Sequence, residues 1–465
     1  MAWWEWLCWI AVAAFVLLLT LSYLPGLPRA LWARLLLLGQ GLLGALRFAG
    51  RAVAGSGPLA DRLTAPAAQR DAFAALRLFA PNLSLSKKLI ASYENSGTLI
   101  VSRREDMLDV IAREADFGVV YGPRMERITG GENFFLGMQD SPRYTRDVSN
   151  MRLVVRWEDV PAIVVPFVAE RAEALVAGAG GRIDVPQQLS LPVAAGLLDL
   201  YFGTPGPSAA EMTDWTSSLF HYLFLDLQAD PAVEAKADLA AAGLRDWLDR
   251  HIAERKASGK DRDDVLGRCL ALQRSGTPGM TDLDIRNNLV GLLIGELPTT
   301  SAAANLALDE LLSRPDALAS ASAAARAGDD ALFAAHVFEA LRFRPMNPVI
   351  YRRAMVDTWV ARGAARGRRI AAGKMVLASN LSAMFDPLDV PSPGAFRTDR
   401  PWDTYILWGY GLHTCFGAHL NRATLPGILK PLFARPNLRR AAGDAGKLDF
   451  AGTKFPVHLA VEYGR

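Results

Sequence analysis

The chain is 465 residues long, 51% apolar and 21% charged, with a formal net charge of +3 at pH 7. Such a length holds one large domain or two to three ordinary ones, and a charge this near neutrality excludes a nucleic-acid binder working through bulk charge. Three widely spaced cysteines (Cys8, Cys269, Cys415) make no disulfide framework or zinc pattern, and six scattered histidines add no metal-ligand spacing.

Residues 3–24 are almost continuously apolar, with Glu5 the one charge and Trp3, Trp4, Trp6, Trp9 and Tyr23 near the ends. About 20 such residues span a bilayer as a helix, and aromatics belong at its two interfaces. A cleaved signal peptide is the rival. The lack of a basic leading region, and the apolar stretch that follows Pro25-Gly-Leu-Pro28, argue against it. Arg29, Arg34, Arg47 and Arg51 come after the span, so the positive-inside rule predicts a single-pass protein with its body in the cytoplasm. Residues 31–48 predict an interfacial helix, with a second span as the alternative, and 52–68, rich in Ala, Gly and Pro, predict a linker. The expected division is a transmembrane anchor (1–25), an interfacial helix with linker (26–81) and a globular domain (82–465).

Within the globular part, 97–101 reads as strand, Asp106 to Ala115 as helix, and 117–137 as an irregular, glycine-bearing segment. Residues 186–255 read as successive amphipathic helices with caps at Ser208 and Asp230, and 256–264 as a charged, solvated loop. Thr281 is a hydroxyl cap followed by Asp282 and Asp284, which predicts a long buried helix from Asp282 to Leu312. At its centre, Gly295-Glu296-Leu-Pro298-Thr299-Thr300, the proline removes an N–H and clashes with the carbonyl four residues back, predicting a kink at a cost of about 3 kcal/mol. Glu339 and Arg342 lie one turn apart on a helix face, where such residues pair, and 369–377 reads as a hairpin around Gly373.

The densest pattern is Trp408-Gly-Tyr-Gly-Leu-His-Thr-Cys415-Phe-Gly417. Its glycines suit a tight loop that approaches a flat ligand closely, and a thiolate held among backbone N–H groups is a soft ligand for iron. A helix beginning at His419 follows, with Pro426 and Pro431 expected to shorten or bend it.

With Trp408 in place of Phe, this loop resembles the haem-binding loop of the cytochrome P450 family, Phe-x-x-Gly-x-His/Arg-x-Cys-x-Gly. The resemblance covers 82–465 with its motifs in order. It implies a mainly α fold with a small β portion, preceded by the N-terminal transmembrane helix. It also implies haem b, with iron on the Cys415 thiolate, His413, Gly411 and Gly417 at the cofactor, and Arg352 or Arg353 reaching a propionate. In Asp140-Ser-Pro-Arg-Tyr144-Thr-Arg146, Tyr144 and Val148 replace a His and an Arg that bind a propionate in the family, leaving Arg146 and Arg152 as candidates. Glu339, Arg342 and Arg397 match the structural triad beneath the haem. Lys430, Arg435, Arg439 and Arg440 read as solubilising charges or, on the side of the family nearest the iron, as a docking site for an acidic electron donor, and both readings stay open.

The long helix resembles the family's distal helix, where an acid beside a threonine relays protons. Thr299 matches the threonine, but Pro298 occupies the acid's place. Glu296, two residues early, either supplies the acid or caps carbonyls freed by the kink, and both readings stay open. The implied activity is a monooxygenase that inserts one oxygen atom of O2 into a lipophilic small molecule. Electrons would come from a separate ferredoxin or flavoprotein reductase, since the chain carries no flavin or iron–sulfur motif. A peroxide-dependent peroxygenase or hydroperoxide isomerase, which needs no such relay, is one alternative. A non-catalytic haem-binding protein is another.

Overall fold

The computed structural model describes residues 29–53, 62 and 65–464; the expected span at 3–24 lies outside them. The elements run α1 (Arg29–Val53), α2 (Pro66–Phe79), β1 (Asn82–Leu85), β2 (Thr98–Val101), α3 (Arg104–Ala112), β3 (Phe117–Gly118), α4 (Gly122–Thr129), α5 (Pro142–Val154) and α6 (Val165–Gly178). Next come β4 (Arg182–Asp184), α7 (Leu191–Leu200), α8 (Ala209–Phe220), α9 (Pro231–Ser258), α10 (Val265–Arg274), α11 (Asp282–Leu312), α12 (Pro315–Ala327) and α13 (Asp330–Phe343). The remainder is β5 (Ile350–Ala354), β6 (Thr358–Val360), β7 (Arg368–Ile370), β8 (Met375–Ala378), α14 (Asn380–Ala383), α15 (Ala418–Ala434), β9 (Arg439–Arg440) and β10 (Ala460–Glu462). The fold is mainly α with a small β portion, as the resemblance implied.

Two compact units share the chain. The first holds residues up to Leu89, 95–118 and 342–411. Its five-stranded sheet has the order β1-β2-β8-β5-β3, in which only β2 and β8 pair in parallel. The expected hairpin at 369–377 is not formed. Instead β7 pairs with β6, while β8 enters the large sheet. Met375, Val376 and Ala378 are all buried, so β8 carries apolar groups on both faces and suits a central strand. In the same unit α1 packs antiparallel against α2. A Cβ added at Gly41 would meet Leu78 Cβ at 2.5 Å, and one at Gly44 would meet the Asp71 carbonyl at 2.6 Å. Within α1, Ala30–Val53 is long and apolar enough to cross a membrane by length and composition. α2 is tied down by cations: Arg70 donates to the Phe343 carbonyl at 2.7 Å, and buried Arg77 donates to Ser382.

The second unit holds 90–94, 119–341 and 412–465. Its axis is α11, buried along most of its 31 residues and opened by a capping box in which Thr281 and Asp284 satisfy each other's backbone N–H. Caps at Ser208 and Asp230 are also formed. The segment read as irregular contains α4, which starts at Gly122-Pro and ends on Gly130 at φ +82°. The loop at 256–264 ends less solvated than expected: Asp264 is buried, accepts from Gly267 N–H and pairs with Arg255 and Arg262. α15 runs through both Pro426 and Pro431 to Ala434. Both prolines are buried, so tertiary packing holds a helix that local propensity would break. A three-stranded sheet, β4-β10-β9, completes the unit.

Candidate active site

In the first unit, Gly409 and Gly411 adopt φ +80° and +74°, where a side chain would be strained. Trp408 stacks on Trp402 with centroids 5.7 Å apart, which accommodates indole where the motif has phenyl. In the second unit, Cys415 precedes α15, whose N-cap is Gly417. Burial pushes the Cys415 thiol up, while N–H groups of Gly417 and Ala418 on the sulfur and the Arg152 guanidinium favour the thiolate. Cys269 differs: it lies buried in α10 and is pushed up to about 12.

Helix α5 holds this loop. Tyr144, N-terminal on α5 because Ser141 caps the helix, donates its hydroxyl to the Leu412 carbonyl at 2.9 Å. Its ring tilts against His413 at 5.0 Å, and His413 Nε2 donates to the Met138 carbonyl at 2.9 Å. Arg152 donates to the Phe416 carbonyl at 3.1 Å and lies 3.9 Å above the Phe416 ring. Tyr144, His413 and Arg152 therefore brace the cysteine loop, with Arg152 against its peptide. Arg146, the other candidate for a propionate, pairs with Asp147.

Among the described residues no group of three or more His, Cys, Asp or Glu could hold a metal. The donor set is a single soft sulfur beside two N–H groups, and beyond its chain neighbours nothing lies within 4 Å of a Cβ built on Gly417. That set fits an iron whose other ligands come from a macrocycle, and haem is the group Cys415 would hold here.

On α11, Gly295 and Thr299 share one face. Gly295 is exposed, Thr299 half-buried, and the Thr299 hydroxyl donates to the Gly295 carbonyl. α11 continues as helix through Pro298. Glu296 is turned from that face and buried. It accepts from Thr300 Oγ1 at 3.2 Å, and burial raises its carboxyl to about 7. Thr300 Oγ1 also lies 2.9 Å from Asn421 Oδ1 on α15. Glu296 thus bonds a side chain, and the reading in which it caps freed carbonyls is not what its hydrogen bond shows. Thr300 and Asn421 were missed by sequence reasoning, since nothing in the sequence marks their pairing. A groove of about 1020 Å³ flanks α11 at Pro298 and Ser301, with Leu191, Phe455 and Val457 in its lining.

In the first unit, buried Arg352 donates to the Tyr351 carbonyl and lies 3.7 Å from Glu114, while Arg353 is half-buried on β5. Arg342 is fully buried and donates to the Met384 and Ala395 carbonyls, stacked on Phe385 at 4.3 Å. Arg397 forks onto Asp399, and Arg400 joins Arg342 at the Ala395 carbonyl. Glu339, on α13, is fully buried. The four basic residues assigned to donor docking each carry a carboxylate: Lys430 with Asp330, Arg435 with Glu173, Arg439 with Glu462 and Arg440 with Asp309.

No family model matches the chain. Cytochrome P450 monooxygenase PikC of Streptomyces venezuelae is 28% identical over 300 residues, covering 64% of this chain and 67% of that one. Cyclomarin C epoxidase CymV of Salinispora arenicola is 29% identical over 307 residues, covering 64% and 73%. The crystal structure of CYP105P1 in complex with filipin I matches with a TM-score of 0.68 and 25% identity over 85% of this chain and 96% of that one. Sequence relatives, fold and cysteine loop agree, and the chain belongs to the cytochrome P450 family of haem-thiolate monooxygenases.

Proposed function

We propose that this protein inserts one oxygen atom of O2 into a lipophilic small molecule, taking electrons from a separate ferredoxin or flavoprotein reductase. The observation that carries the reading is the pairing, within one unit, of Cys415, beside two N–H groups, with a distal helix that turns Gly295 and the Thr299 hydroxyl to its accessible face. Haem held by Cys415 supplies oxygen activation, with the thiolate donating electron density to the iron. The chain's share begins with the Gly417 and Ala418 N–H groups, which hold the sulfur's charge, and Arg152, which favours it. Thr299 bonds its own helix at Gly295 and is placed to pass a proton from that hydroxyl. Glu296 is the one buried acid of the helix centre, and its hydrogen bond leads to Thr300. Apolar residues 3–24, outside the described residues, are proposed to anchor the protein with its catalytic part on the cytoplasmic side, supported by the arginines that follow them.

The absence of an acid at Pro298 favours one second reading, a peroxide-driven reaction that needs no relay. Turnover of one lipophilic substrate is to be compared under two conditions: reduced ferredoxin with O2, and hydrogen peroxide without donor. The monooxygenase reading expects product in the first, and expects Thr299→Ala to consume reductant while releasing peroxide. Equal turnover with peroxide alone, with Thr299→Ala unaffected, overturns it in favour of the second reading.

A further inference from the structure

We propose that Glu296, Thr300 and Asn421 form a proton switch through which the distal helix takes up one proton when the iron on Cys415 takes up one electron. The inference rests on the haem-thiolate reading and adds to it a role for a residue triplet that neither the motif nor the fold assigns.

The geometry carries it. Thr300 Oγ1 lies 2.9 Å from Asn421 Oδ1 and 3.2 Å from Glu296 Oε1, and all three side chains are buried. A hydroxyl has one hydrogen, so it cannot serve both acceptors at once. The chain closes in two arrangements only. In one, protonated Glu296 donates to Thr300, which donates to the Asn421 carbonyl oxygen. In the other, the Asn421 amide is reversed and donates to Thr300, which donates to the ionised carboxylate. In each arrangement the Thr300 hydroxyl both donates and accepts, whereas a mixed one leaves an acceptor bare at a cost of about 1–3 kcal/mol.

The far end of the switch lies on α15, the helix that follows the cysteine. The backbone N–H of Asn421 donates to the Gly417 carbonyl at 3.0 Å as an ordinary helical bond, and Ala418 N–H, which favours the Cys415 thiolate, donates to the Cys415 carbonyl at 3.2 Å. Negative charge on Glu296 also acts directly on Cys415, disfavouring its thiolate. The effect is reciprocal: charge added on the Cys415 side disfavours ionised Glu296 and draws a proton to it.

Other charges are placed elsewhere. Burial is the first cause of the raised Glu296 carboxyl, and the Thr300 hydrogen bond alone opposes it. On the elements packed against α11, Asp199 of α7 pairs with Arg262, Asp214 of α8 with Lys236, and Asp249 of α9 with Arg286. Glu211 of α8 and Asp316 of α12 are exposed. On α15, His419 is held near 4 by burial and stays neutral, Lys430 pairs with Asp330, and Arg422 is exposed. The step balances: one electron passes from a one-electron reductant to the iron, and one proton passes from solvent to the Glu296 carboxylate.

The test is a redox titration of the haem-loaded chain with dithionite and ferricyanide at several pH values from 6 to 9, followed by its visible spectrum. The wild type is expected to lose up to tenfold in the reduction equilibrium per pH unit, from near the acid's own value of about 7 upward. Glu296→Gln, which carries no titrating proton, is expected to flatten that dependence. Thr300→Val removes the donor that favours the ionised form and is expected to move the onset to higher pH. A pH-independent wild type, or Glu296→Gln and Thr300→Val that both follow the wild-type curve, overturns the switch. Loss of the thiolate spectrum in the wild type instead overturns the haem reading on which it rests.

Discussion

The Tyr144 hydroxyl donates to the Leu412 carbonyl at 2.9 Å, tying the first turn of α5 to the loop three residues before the cysteine. The ring that brings this hydroxyl also packs on His413, so one side chain fixes both the backbone and the imidazole of the loop. Tyr144→Phe keeps the ring and removes only the bond. The expected result is a stability loss of about 1 kcal/mol in thermal unfolding, together with lower haem content per chain after purification. Unchanged haem content and melting would show that the loop is held without it.

Glu296 makes stability depend on pH in an unusual sense. Its carboxyl sits at about 7 in the folded protein against an ordinary 4.5, so the folded state keeps a proton that the unfolded state releases between those values. The folded state binds more protons there, and stability falls as pH rises through that window, by roughly 3 kcal/mol at most. Glu296→Gln removes the effect. Denaturant titrations at pH 4.5 and 7.5 are therefore expected to show the variant gaining on the wild type at the higher pH. A constant difference between the two at both pH values contradicts the burial argument.

The join of α2 to the strands and turns of its unit sets where the chain can be shortened. Arg70 and Arg77 bond the Phe343 carbonyl and Ser382, whereas α1 exposes Leu31, Leu38 and Leu46. A chain beginning at Pro66 is expected to bind haem and to stay in solution without detergent. One beginning at Asn82 loses both arginines, each worth about 1.5–3 kcal/mol as a charged donor, and is expected to melt lower. Equal melting of the two chains would contradict the structural role of α2.

Much of this was legible in the sequence for local reasons. The Thr281 cap with its acids marked the start of α11, and Gly409 and Gly411 before Cys415 marked a loop whose φ values require them. What stayed hidden depends on partners far along the chain. Lys430 reads as a free cation until Asp330, 100 residues away, is seen against it, and Thr300 as a second threonine until Asn421, 121 residues on, is found beside it. Glu296 reads from the sequence as an acid two residues before the expected place, but no periodicity says which helix it meets. Prolines misled in α15 for the opposite reason: local propensity predicts a break, and packing of both buried prolines overrides it.

The central claim is that Cys415 is the iron's thiolate ligand. Reduced protein treated with carbon monoxide is expected to show the red-shifted Soret band of a thiolate-ligated haem, lost in Cys415→Ala and kept in Cys269→Ala, whose thiol lies buried in α10. A thiolate spectrum that survives Cys415→Ala would contradict the account.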